Sequence, residues 1–192
     1  MGIHFEKIGV IRTPYKDWAP QQPLVAGQGE FVIELDPAWQ EGLADLDSFA
    51  YVHVLFHLDR SDKAAKTTAQ PPWARGKQVG VFASRSASRP NLIGLSVVRV
   101  IRVVGNRMFI SPIDALDNTP LLDLKPYIKA MDARTDANNG WIEALDDSEH
   151  LLQHLLGQAH EHGHEHGHGH EHGHEHDHDH DHGHGHGHDH EH

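Results

Sequence analysis

Cysteine is absent from the 192-residue chain, so neither a disulfide nor a thiolate metal site is open to it, and redox chemistry says nothing about its compartment. Long apolar runs are absent as well. The N-terminus, MGIHFEKIGV, has no apolar h-region and no later segment approaches the length of a membrane span, which gives the expectation of a soluble, cytoplasmic protein. Basic side chains are missing from the last thirty-three residues. Nine of the 28 acids lie there, so the formal charge of −12 becomes 19 acids against 16 bases, or −3, over residues 1–159. The body of the chain is therefore nearly neutral, which offers little excess of Lys and Arg for nucleic-acid phosphates.

What fills that C-terminal stretch is histidine at every even position: His160, His162, His164, His166, His168, His170, His172, His174, His176, His178, His180, His182, His184, His186, His188, His190 and His192, with only Glu, Asp or Gly between. Imidazole is a ligand for Zn²⁺, Ni²⁺ and Co²⁺, and the interleaved carboxylates add oxygen donors, so the tail is a metal-binding segment by its chemistry. A strict repeat offers many equivalent ligand sets, and several exchanging ions are expected rather than one defined site. A solvated tail or a purification tag are the plainer readings, although a tag is usually one short uninterrupted run of His. Residues 158–192 have nothing to bury and are expected to be disordered without metal.

The remaining ~160 residues suffice for one domain with a real core. Their apolar pattern has a period of two. Phe31, Ile33 and Leu35 alternate with Glu30, Val32 and Glu34, and Val52, Val54, Phe56 and Leu58 alternate with Tyr51, His53, His57 and Asp59. Ile3–Ile11, Val79–Ser84, Ile93–Val104 and Arg107–Ser111 add four more strands. So many short strands separated by Gly, Pro, Asn and Asp predict an all-β fold, a small antiparallel β-barrel over residues 1–140. A short helical turn is expected at Ala38–Leu46 after Pro37. A C-terminal helix is expected over 141–157, with Ile142, Leu145, Leu152, Leu155 and Leu156 on one face and Gly157 as its C-cap. Thr13–Gly29 and Arg60–Gln78 read as long irregular stretches of the kind that carry function.

Two runs stand out. Gly80–Ser96, GVFASRSASRPNLIGLS, begins as a strand, passes through a polar stretch holding Arg85 and Arg89, and resumes as a strand. Guanidinium forks on such a loop suit a carboxylate or phosphate, while a solvated turn explains the spacing equally well. Asp114–Tyr127, DALDNTPLLDLKPY, spaces three carboxylates around an Asn-Thr-Pro turn; they are ligand acceptors or simply turn formers. His53 and His57, on one strand face, read as packed or hydrogen-bonded core lining. His150 and His154 have a spacing that can share a metal, and Trp18, Trp39, Trp73 and Trp141 fall in or beside loops, where any of them can stack on a planar ring.

With the opening Ile8–Tyr15, IGVIRTPY, these runs resemble the tRNA-methyltransferase O family, the TsaA-like β-barrel methyltransferases. Gly80–Ser96 is similar to the family's G-V-F-A-T-R-S-P-x-R-P-N-P-I-G-L-S signature and Asp114–Tyr127 to its D-x-x-D-G-T-P-x-x-D-x-K-P-Y signature. The resemblance runs in order over roughly residues 5–130. Ser84 stands where the family has Thr, and Asn118 where it has Gly; Asn can still adopt the left-handed conformation.

The resemblance implies a dimeric barrel that binds S-adenosylmethionine without a Rossmann domain; no G-x-G-x-x-G is present here. It implies methylation of N6 of threonylcarbamoyladenosine beside the anticodon of tRNA. Cofactor contacts would fall on Pro20, Gln21, Gln22, Asp59, Arg60, Arg85, Leu95, Asp114, Ala115, Leu116 and Asp117, with Asp114 and Asp117 as the catalytic pair that orients the amine and accepts its proton. Tyr127 reads more simply as a structural residue on a core strand. Two alternatives remain: a methyltransferase acting on something other than tRNA, and a Zn, Ni or Co buffer or metallochaperone that uses the barrel as a scaffold.

Overall fold

The computed structural model describes residues 2–20, 28–61, 64–74, 76–149 and 151. The chain divides into two units, Met1–Ala159 and His160–His192. Gln21, Gln22, His150, His154, the 152–157 part of the expected C-terminal helix and the whole histidine repeat lie outside the described residues.

Among the described residues there are eight strands: β1 (Gly9–Arg12), β2 (Val32–Leu35), β3 (Tyr51–His57), β4 (Thr68–Ala69), β5 (Val79–Gly80), β6 (Ile93–Val104), β7 (Arg107–Ile110) and β8 (Thr119–Pro126), with a short helix, α1 (Lys129–Asp132), after β8. Six of them close into a barrel in the order β1-β2-β7-β6-β3-β8, every pairing antiparallel, and β4 and β5 form a separate two-stranded ribbon. The expected all-β barrel is there.

The period of two explains the core. Val52, Val54 and Phe56 from β3, Ile33 and Leu35 from β2, Ile11 from β1, Val98 from β6, Met108 and Ile110 from β7 and Leu121 from β8 converge in one buried cluster. The intervening residues of β3 and β6 face outward, and Leu95 and Val97 are about half exposed. The two long strands turn the corners. β6 pairs with β3 through Arg99 and with β7 from Val100, with an irregularity between Val100 and Arg102; β8 passes from β1 to β3 at Leu121. Two glycines permit close approaches. A Cβ on Gly9 would fall on the Glu34 carbonyl and the Leu35 Cα, and one on Gly94 would fall inside the Phe56 ring.

Several sequence expectations are corrected. The strand at Ile3–Ile11 is only Gly9–Arg12: residues 3–8 lack a ladder of their own, and Ile3 and Phe5 are exposed. Val79–Ser84 is not one strand, because Ser84 folds back with both its amide and its hydroxyl on the Val81 carbonyl, making Val81–Ala83 a 3-10 turn. Arg60–Gln78 is less irregular than expected, since it holds β4 and a turn at Pro72–Ala74. The helical turn after Pro37 is a 3-10 turn, Pro37–Leu43, with a second at Leu46–Ser48. The expected helix does not begin at 141: Gly140–Ala144 is a 3-10 turn and Leu145 is extended with ψ of 143°, whereas Ser148, Glu149 and Leu151 are helical. His53 and His57 lie on the outer face rather than the core. His53 packs beside Tyr127, with ring centroids 5.4 Å apart, and His57 is exposed. Tyr127 follows the end of β8 and also packs outside, against Tyr51.

Candidate cofactor and acceptor site

The turn between β7 and β8 is the hub. Asp117 receives the Thr13 amide at 3.2 Å on one carboxylate oxygen and Lys16 Nζ at 2.6 Å on the other, while its own amide donates to the Tyr15 carbonyl at 2.6 Å. Thr13 Oγ1 donates to the Ala115 carbonyl at 2.9 Å, and Asn118 accepts Arg12 on its side chain at 2.5 Å while its amide donates to Ile11. The stretch leaving β1 is thus fastened to residues 115–118. Asn118 takes the left-handed φ of 67° expected for a residue standing in for Gly.

The hydrogen bond from Lys16 holds the Asp117 carboxyl below its ordinary value of 3.8, against the desolvation that comes with burial, and the Thr13 amide and the charges of Lys16 and Arg12 add to the effect. Asp117 is therefore a fixed anion at neutral pH. Asp114 has a different setting: it is half-buried, and Ser96 Oγ donates to it at 3.2 Å. Ser96 points into the barrel and is 2% exposed, whereas its neighbour Leu95 faces out at 53%. This one hydrogen bond ties β6 to the hub.

Asp59 and Arg60 follow β3 and reach the same place. Arg60 donates to Thr119 Oγ1 at 2.9 Å, and the Thr119 hydroxyl donates in turn to the Leu116 carbonyl at 2.8 Å. Asp59 lies 3.5 Å from the Arg60 guanidinium. The next residue, Ser61, has a buried hydroxyl with no hydrogen-bond partner among the described residues, a state that costs about 1–3 kcal/mol unless something answers it. The structure therefore joins Asp59, Arg60, the Leu95–Ser96 pair and the Asp114–Asp117 segment through named contacts. Pro20 is half-buried at the end of the stretch that leaves Lys16.

Arg85 is separate: it is exposed and makes no hydrogen bond or ion pair among the described residues. Its loop is nevertheless ordered from within. Arg89 donates to the carbonyls of Val81, Ser84 and Ser86, at 3.4, 2.8 and 3.4 Å, which makes Arg89 a brace rather than a ligand contact. The sequence did not single out Thr13, Lys16, Ser61, Ser96 or Thr119; only the Thr of the Asn-Thr-Pro turn carried a local signal. Of the four tryptophans, Trp73 and Trp141 stack on each other, with centroids 5.4 Å apart and planes 5° from parallel, while Trp18 and Trp39 stay exposed. Among the described residues no group of three or more His, Asp or Glu could hold a metal ion.

The donor set suits S-adenosylmethionine. The carboxylates of the hub answer amino or ribose groups, and the Ser61 hydroxyl, without a partner among the described residues, is free to take one; Arg85, which stands apart from the hub, offers a guanidinium suited to a carboxylate.

Residues 10–133 match the tRNA-methyltransferase O N-terminal domain. A probable S-adenosyl-L-methionine-binding protein of Pyrococcus abyssi is 38% identical over 143 residues, covering 73% of this chain and 77% of the relative. The tRNA (adenine(37)-N6)-methyltransferase of Escherichia coli is 32% identical over 157 residues, covering 77% of this chain and 67% of the relative. The crystal structure of TrmO from Pseudomonas aeruginosa superposes with a TM-score of 0.60 at 36% identity, over 73% of this chain and 62% of that one. A barrel closed around the expected core, the two signatures in place and a matched domain spanning most of the folded unit establish that the chain belongs to the tRNA-methyltransferase O family.

Proposed function

We propose that the chain is an S-adenosylmethionine-dependent methyltransferase that acts on N6 of adenine in tRNA, with threonylcarbamoyladenosine beside the anticodon as the acceptor. The observation that carries this reading is the convergence of Asp59-Arg60, Leu95-Ser96 and Asp114–Asp117, from three distant parts of the chain, on one hydrogen-bonded hub. When bound, S-adenosylmethionine supplies a methyl group on a positively charged sulfur that is already electrophilic.

The protein's share is alignment and a place for the proton. Arg85 binds the methionine carboxylate, and Leu95 covers apolar surface of the same ligand. Pro20 lines the pocket, while Gln21 and Gln22 fall outside the described residues. Asp114, oriented by Ser96, receives the acceptor amine and takes its proton. Asp117, held ionised by Lys16, keeps the hub in shape and supplies fixed negative charge. Arg60 fastens the end of β3 to Thr119, so that Asp59 and Ser61 stay against the ligand.

Dimerisation belongs to the same proposal, supported by the exposed apolar residues Val97 and Ile101 of β6. The histidine repeat, by its chemistry, binds divalent Zn, Ni or Co, and this second activity stands beside the first.

Calorimetric titration of S-adenosylmethionine into the folded chain tests the central reading. Binding that drops at least about tenfold in Arg85→Ala, followed by tRNA methylation detected by nucleoside mass spectrometry, is the expected result. A folded chain that binds no S-adenosylmethionine ends it. Equilibrium dialysis against Zn²⁺ or Ni²⁺ settles the tail's part.

A further inference from the structure

Trp141 lies outside the matched domain, which ends at residue 133, yet it touches the signature loop. Gly140, at φ 58°, opens the 3-10 turn Gly140–Ala144 that carries it. The indole Nε1–H donates to the Ala83 carbonyl at 2.8 Å, and the ring stacks on Trp73 from the turn Pro72–Ala74. Ala83 is two residues before Arg85. Three segments, 72–74, 81–83 and 140–144, thus meet at one aromatic pair.

The Val81–Ala83 turn is gripped from two directions. From inside the loop, Arg89 fills the carbonyls of Val81, Ser84 and Ser86, and the Val81 amide donates to Thr67. From outside, Trp141 donates to the carbonyl of Ala83, which Arg89 does not reach. Arg85 itself has no partner among the described residues, so its direction is set by the backbone it grows from. A guanidinium on a wandering backbone loses more freedom when it captures a carboxylate than one on a fixed backbone.

We infer that Trp141, stacked on Trp73, is a positioning residue for Arg85: it fixes the Val81–Ala83 turn from outside the catalytic domain and so raises affinity for the carboxylate of S-adenosylmethionine. The inference rests on the methyltransferase reading above.

The test is a set of variants of the full chain titrated with S-adenosylmethionine: Trp141→Ala, Trp141→Phe, Arg85→Ala and the double variant Trp141→Ala/Arg85→Ala, with Trp39→Ala as a control for loss of an exposed tryptophan elsewhere. Trp141→Ala is expected to raise Kd and KM about tenfold with kcat within about twofold, and to add nothing once Arg85 is gone. Trp39→Ala is expected to match the wild type. Should Trp141→Ala fail to fold, Trp141→Phe, which keeps an aromatic ring but has no N–H, carries the test, with an expected rise of about threefold that also vanishes in the Arg85→Ala background. Wild-type affinity in Trp141→Phe together with a folded Trp141→Ala that binds normally, or a loss that persists undiminished without Arg85, overturns the inference. Absence of binding by the wild type overturns the methyltransferase reading instead.

Discussion

Asn118 combines a backbone role and a side-chain role that rarely fall to one residue. Its φ of 67° strains a residue with a Cβ, and its amide oxygen accepts Arg12. Asn118→Val should lose both and destabilise the domain by about 1–2 kcal/mol in denaturant unfolding. Asn118→Gly relieves the strain while giving up the Arg12 contact, and should fall within about 0.5 kcal/mol of the wild type. Asp117 makes a prediction with a pH sign. Its carboxyl titrates below 3.8 in the folded state because Lys16 donates to it. A lowered folded pKa contributes stability that is whole above the unfolded value and is lost as pH falls from 3.8 toward the folded one. Asp117→Asn should therefore be less stable by on the order of 1 kcal/mol at pH 7, and the gap to the wild type should close below about pH 3.8 in thermal scans.

Among the elements, β6 depends on one small residue. Gly94 leaves room for the Phe56 ring, which is 3% exposed and has nowhere to retreat. Gly94→Ala should cost about 1–3 kcal/mol, and pairing it with Phe56→Leu should destabilise less than the two single changes added together, as measured by chemical denaturation. The strands differ in how plainly the sequence announces them. β6 reads end to end as Ile93–Val104, where Val, Ile and Leu dominate, and β3 shows its alternation, because one face of each meets the core. β8 is hidden. Pro120 and Pro126 break the expected pattern, and Asp123 and Lys125 interrupt its apolar run, yet Pro120 is tolerated in a stretch paired only with β1, since pairing with β3 starts at Leu121. The site behaves similarly. The signatures pointed to Asp114, Asp117 and Arg85, but the ties from Thr13, Lys16, Ser96 and Thr119 join residues up to 104 positions apart, and no local spacing encodes them. The Trp73–Trp141 stack had no periodic signal either.

At the scale of the whole chain, charge is unevenly placed: −12 in total, but −3 without the tail. Binding to tRNA draws on Lys and Arg at phosphates, and nine tethered acids oppose it. Removing residues 158–192 should therefore strengthen tRNA binding at about 50 mM salt, with the difference fading as salt rises past about 0.5 M. Zn²⁺ or Ni²⁺ added to the full chain should have the same effect, and none on the shortened one. Filter-binding titrations across a salt series check all of this, and an affinity of the full chain that ignores added metal breaks the link between tail and barrel. Among the described residues no helix is long and apolar enough to cross a membrane.

The barrel closes where β1 meets β8, at Ile11 opposite Thr119, and the Arg12–Asn118 contact at that seam spans 106 positions. During synthesis the ring must stay open until β8 has left the ribosome. The hub that fastens residues 13–16 to residues 115–117 then forms in the same event as ring closure. Chains cut short before residue 119 would lack the strand that closes the ring, leaving β1 and β3 each without a neighbour on one edge and Arg60 without Thr119.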